Sequence, residues 1–232
     1  RETPLQCLAR NGWGEEAAAS FLAHGADPDL RRADGRTAYV LAIRTGNAAM
    51  AGYLLGQGAD PGGVTPIDEL LGACMRADEP GARALIAAHP GLMEGLTTED
   101  RGATVSAVYG RREASVRLMA ALGFDLGWEG SWGGAPLHHA AWLGDASLVR
   151  VLLTLGAPVN QRDGRFGSSP IAWAAHGSTN CGNAGADHPA VAGLLVDAGS
   201  ARAASYNRWN ESPESMASPA VLALLRARGF AP

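Results

Sequence analysis

The chain has 232 residues, enough for one or two globular domains or for a stack of small repeats. Its 19 basic and 23 acidic residues leave a formal charge of −4, which excludes a protein that holds nucleic acid by bulk phosphate neutralisation. Hydrophobic residues make up 47%, too many for a disordered chain, yet no apolar run approaches the roughly 20 residues of a membrane span.

All basic residues are arginine, which with the 31 glycines reads as a GC-rich codon bias rather than as chemistry. The N-terminus lacks the basic, apolar and small-residue order of a signal peptide. Three widely spaced cysteines, Cys7, Cys74 and Cys181, predict free thiols in a reducing, cytoplasmic compartment. A chain that opens at Arg1 without methionine and enters helical pattern at once reads as a piece of a longer protein.

In chain order, one short signature recurs: a small residue or threonine, often proline, then an apolar residue. It stands at Thr3-Pro4-Leu5, Thr37-Ala38-Tyr39, Thr65-Pro66-Ile67 and Ala103-Thr104-Val105. It returns at Ala135-Pro136-Leu137, Ser169-Pro170-Ile171 and Ser212-Pro213-Glu214, at steps of 34, 28, 38, 32, 34 and 43 residues. Each signature opens an alanine-rich helix, because proline is tolerated in a first helical turn whose N–H groups have no partner. A glycine or polar break follows, then a second apolar run such as Leu54-Leu55, Leu85-Ile86, Leu152-Leu153 or Leu224-Leu225. Glycines 25, 58, 123, 156, 199 and 229 close the second run, where a left-handed backbone favours glycine.

Some units depart from the pattern. The Gly58–Thr65 connection is short, so its tip must be stunted, and unit three closes on His89-Pro90-Gly91. Unit four lacks the proline and carries Arg111-Arg112 at its break. Unit six holds an insertion, 178–187, whose glycine, serine and asparagine content predicts a loop.

The best unit runs Ala135-Pro136-Leu137-His138-His139-Ala140-Ala141-Trp142-Leu143-Gly144, then Leu148-Val149-Arg150-Val151-Leu152-Leu153, then Gly156-Ala157-Pro158. It resembles the ankyrin repeat, in a bacterial-type form, and the resemblance covers essentially the whole chain. It implies an all-α solenoid of about seven helix–turn–helix repeats joined by β-hairpin-like loops, in one domain spanning 1–232. The repeats fall near 3–35, 36–63, 64–100, 101–133, 134–167, 168–210 and 211–232. No repeat buries its own apolar face, so stability comes from stacked neighbours.

The resemblance also implies a concave face of first helices and loop tips, used for binding. Register places Arg10, Arg44, Trp142 and His176 on it, with tip residues Trp132 and Phe166. Five of the six tryptophans follow residue 127, and aromatic rings are efficient interface anchors. The predicted binding set is therefore Trp128, Trp132, His139, Trp142, Phe166, Trp173 and His176, strongest over repeats four to six. Adjacent helical residues face different ways, so His138 and His139 are no ligand pair. His138 takes the family's recurring histidine position and is expected to bond the turn framework; His139 stays open between scaffold and binding.

His176, Cys181, Asp187 and His188 bracket the insertion and are of the right types for zinc or for a cysteine nucleophile with its base. Their spacing matches no metal motif, so neither metal, cofactor nor catalytic residue is expected, and the insertion reads as a loop that widens the binding face. The glycine-rich 127–134 has no following lysine for a phosphate loop and reads as a long tip.

Two functions remain. The first is a non-enzymatic scaffold binding a protein partner, or another domain of its own longer chain, with no nucleic acid and no membrane involved. The alternative is a small-molecule or enzymatic pocket formed by these aromatics and His176 near the 178–187 insertion.

Overall fold

In the computed structural model, which describes residues 2–12, 14–130, 133–202 and 205–230, every regular element is a helix. The chain forms two compact units, one ending at Leu96 and the other beginning at Thr97.

The first unit holds α1 (Pro4–Asn11), α2 (Glu15–Ala23), α3 (Ala38–Arg44), α4 (Ala48–Gly56), α5 (Pro66–Met75) and α6 (Glu79–Ala88). The first helix of each pair starts at the sequence signature for a local reason. Thr3 and Thr65 accept from the N–H three residues on, and Gln6 and Asp68 reach back to the cap N–H, closing capping boxes. Of the second helices, α4 and α6 begin at Asn47 capping Met50 N–H and Asp78 capping Gly81 N–H, whereas α2 follows Gly14 without a side-chain cap. Helix α3 packs between α1 and α5, and α4 against α2. Leu5, Leu8, Leu41, Met50 and Leu54 fill the space between them, with alanines 9, 18, 38 and 42 allowing close approach.

One residue read onto the face by register belongs to this interior instead. Arg44 is buried, and its Nη1 donates to Asp68 Oδ1 at 3.1 Å, where Arg36 Nε also donates at 3.2 Å. Asp68 is 1% exposed, and a carboxylate there requires cationic partners, which α3 and the preceding tip supply.

The second unit holds α7 (Thr98–Arg101), α8 (Ala103–Tyr109), α9 (Glu113–Ala121), α10 (Pro136–Trp142), α11 (Ala146–Thr154), α12 (Pro170–Asn180), α13 (His188–Asp197), α14 (Pro213–Met216) and α15 (Pro219–Ala227). Helices α8, α10, α12 and α14 pack in one row, and α9, α11, α13 and α15 in a second. Leu137, Leu148, Leu152, Ile171 and Leu195 are fully buried where the rows meet. The turns between paired helices need a left-handed residue, supplied by Gly144 but by Arg111 (φ 52°) between α8 and α9. The loops between pairs carry single cross-loop bonds rather than strands, as in Gly130 N–H to Gly134 O at 3.1 Å and Asp163 N–H to Ser168 O at 2.9 Å.

The insertion departs from expectation. Residues 178–180 are not loop but the last turn of α12. Ser178 Oγ donates to Ala175 O at 2.6 Å and Asn180 Nδ2 to His176 O at 2.9 Å, which carries the helix on past Gly177. All three cysteines are free; Cys74 is buried, while Cys7 and Cys181 are half-buried.

Candidate binding site

The second unit carries an open cavity of about 540 Å³ between the ends of α8, α10, α12 and α14 and the tips before α12 and α14. Its walls are mostly aromatic: Tyr109, Trp142, Phe166, Trp173 and Trp209, with His139, His176 and Met216 between them. Trp142 and His176 occupy the same register position of successive helices, six residues past their prolines, and their ring centroids lie 5.5 Å apart. Trp142 meets Trp173 at 6.5 Å, Trp173 meets Phe166 at 5.9 Å, and Phe166 meets Trp209 at 6.3 Å.

The close approach of α10 and α12 depends on Gly177. A Cβ there would lie 2.5 Å from Trp142 O and 2.9 Å from His188 Nε2. His188 itself is buried, with Nε2 at 2.9 Å from Trp142 O, so it anchors the backbone beneath the cavity.

The Phe166 tip is organised by one carboxylate. Asp163, 2% exposed, accepts from the backbone N–H groups of Arg165, Phe166 and Ser168, and from Trp173 Nε1 at 3.0 Å. Burial opposes its charge, but the N–H groups of Phe166, Trp173 and Ser168 outweigh it and hold the carboxyl below its ordinary range. The next tip repeats the device with a neutral side chain: Asn207 Oδ1 accepts from Trp209 and Glu211 N–H, and Nδ2 donates to Glu211 Oε2 at 2.7 Å. The two tips are joined by Arg208 N–H donating to Phe166 O at 2.9 Å.

His138 takes the framework role expected of it. Nδ1 accepts from Ala135 N–H, which leaves Nε2–H to donate to Gln161 O at 3.0 Å and Ser168 O at 3.1 Å. His139 is also fully buried, although one ring edge borders the cavity. Its Nε2 lies 2.9 Å from Gly133 O and must donate, so Nδ1 accepts from the Tyr109 hydroxyl at 3.0 Å. Burial pushes this imidazole down to about 4, so it is neutral at physiological pH.

Of the predicted binding set, Trp142, Phe166, Trp173, His176 and His139 meet at this cavity. Trp128 does not: its Nε1 donates to Thr98 O at 3.2 Å and its ring lies under Arg101, bracing α7. Trp132 lies outside the described residues. Among the described residues, none from 178–187 lines the cavity, so the insertion does not widen it. Asn183 instead donates to Leu143 O at 2.7 Å and accepts from Arg111 at 2.7 Å, which holds that loop on earlier repeats. Asp187 caps α13, which takes it and His188 out of any ligand set; among the described residues no group of three His, Cys, Asp or Glu side chains is placed to hold a metal ion. Nor does a hydrogen bond join Cys181 Sγ to a histidine among them.

Tyr109 and Glu211 are additions to the predicted set, as is Trp209, which is one of the five tryptophans after residue 127 but stands outside that set. A signal existed for Trp209: it stands four residues before Pro213, as Phe166 stands before Pro170 and Trp132 before Pro136.

The ankyrin repeat family model matches residues 34–65 and 132–164. No curated protein sequence matches the chain significantly. Among solved structures, the human ASB11 ankyrin repeat domain aligns over 100% of both chains with a TM-score of 0.59 at 23% identity. The ankyrin repeat domain of Bcl-3, a member of the IkappaB protein family, covers 97% of this chain and 98% of its own at a TM-score of 0.56 and 25% identity. Such domains commonly serve as protein-interaction modules. With the paired helices, the proline and threonine starts and the glycine stops described above, these matches show an ankyrin-repeat fold along the chain, with ankyrin repeats matched by the family model at 34–65 and 132–164.

Proposed function

We propose that the chain is a protein-recognition module whose partner, a separate protein or another domain of the same longer chain, docks on the first helices and tips of repeats four to six. The observation that carries this reading is the aromatic cavity, in which Trp209 is 62% exposed and Tyr109 49% exposed. Large rings left in solvent around a concavity are what a partner buries to gain affinity. Exposed Trp209 and His176 keep the cavity open, which suits docking better than a closed reaction chamber. The free thiols support a reducing, cytoplasmic setting.

The test is capture of partners from the source cells, followed by affinity measurement with folded Trp142→Ala, Trp209→Ala and Arg10→Ala. Loss of a central anchor is expected to weaken binding by about 30-fold, whereas Arg10→Ala, on exposed surface of the first unit, leaves it near the parent value. Equal affinity for all four proteins sinks the reading.

A further inference from the structure

Resting on the cavity as the docking site, the geometry points to a ligand class: the cavity receives the methylated ammonium head of a lysine side chain of the partner. Four rings, Trp142, Trp173, Phe166 and Trp209, follow one another around it, inclined at 81°, 63° and 40° to their neighbours. Rings so inclined do not share one plane, and the ring quadrupole attracts a cation held within about 6 Å of a ring centroid. The wall already holds a cation of its own, since the Arg165 guanidinium lies 5.2 Å from the Phe166 centroid.

Charge and hydrogen bonding favour a cation over an anion or a sugar. The Asp163 carboxylate stands behind the wall and draws on Trp173 Nε1–H, which enriches that indole's π system. Glu211 lies at the rim, its carboxylate steadied by Asn207 Nδ2. Burial holds His138 and His139 neutral, so the fixed positive charge on the lining is that of Arg165, which the Asp163 and Glu211 carboxylates outnumber. Three of the lining's donors are committed inside the protein: the Tyr109 hydroxyl to His139, His139 Nε2–H to Gly133 O, and Asn207 Nδ2 to Glu211. A bare ammonium is strongly hydrated and would lose those waters to apolar walls, whereas methyl groups replace N–H donors with contact surface. The volume of about 540 Å³ has room for such a head and the chain that carries it.

The experiment is a titration, by tryptophan fluorescence and NMR to millimolar concentration, with three short peptides that differ in one side chain. One carries trimethyllysine, one lysine, and one the neutral carbon isostere with a tert-butyl end. The trimethyllysine peptide is expected to bind more tightly than either of the others, by about 2- to 30-fold. Glu211→Gln should weaken that peptide several-fold and leave the carbon isostere unchanged; Trp142→Ala should weaken both. Equal affinity of the trimethyllysine and carbon peptides, or binding of none, overturns the inference. Choline binding as tightly as the trimethyllysine peptide also overturns it, by assigning the site to a free small molecule. Partner capture by Trp209→Ala tests the docking reading separately, so either can fail alone.

Discussion

The indole N–H of Trp173 donates to the Asp163 carboxylate across 3.0 Å, and this bond ties the first helix of repeat six to the tip that precedes it. Asp163 accepts three backbone N–H groups at the same time, so a single buried carboxylate fixes the Phe166 tip and the orientation of a central cavity ring.

Asp163→Ala should therefore destabilise the second unit strongly. Removing the acceptor leaves several N–H groups without a partner, each costing about 1–3 kcal/mol where water cannot reach. A total loss of about 3 kcal/mol is expected in urea unfolding, with Asp163→Asn losing less. A midpoint unchanged in Asp163→Ala would show that the tip does not need this anchor.

Acid should act through His139. Its folded pKa of about 4 lies below the ordinary 6.5, so the unfolded chain binds the extra proton between those values. The stabilisation is fully present above pH 6.5 and is lost as pH falls towards 4, by about 3 kcal/mol in all. Asp163, whose pKa is also depressed, adds a further loss at still lower pH. Unfolding curves at pH 7, 5.5 and 4 for the parent and His139→Gln check this; the variant should show a flatter slope between 6.5 and 4. Parallel slopes would contradict it.

Gly177→Ala should disturb the crossing of α10 and α12. The new Cβ would stand 2.5 Å from Trp142 O, and backbone cannot yield as a side-chain end can. A cost of about 1–3 kcal/mol is expected, together with a shifted tryptophan emission, because Trp142 moves relative to His176. Ala substitution at Gly182, where a Cβ meets nothing within 4 Å, is the control.

Thiol labelling of the native protein should separate the cysteines. Burial pushes the Cys74 thiol up to about 12 and shields it, so it reacts only on unfolding. Cys7 is also raised, by burial and by the neighbouring Glu2, which leaves Cys181 as the fastest site. Mass-spectrometric mapping after brief alkylation gives the order, and early modification of Cys74 would contradict it.

The sequence by itself determined the repeat. Proline at a first helical turn, threonine or aspartate at a cap and glycine at a left-handed stop act over three or four residues, so each can be read without its surroundings. Register then carried Trp142 next to His176, because equivalent positions of stacked repeats must be neighbours. The short helix α7 is not among the expected elements, and the structure shows it starting at a Thr97-to-Asp100 capping box. Only the tertiary structure decided which aromatic rings share a cavity. Trp128 turns to Thr98, Arg44 turns inward to Asp68, and His188 is taken up by the Trp142 carbonyl. Each of these outcomes depends on an acceptor or charge more than 20 residues away. Local residue preferences carry no information about such partners. The same holds for His139, whose neutral, doubly bonded ring is fixed by the hydroxyl of Tyr109 from the preceding repeat.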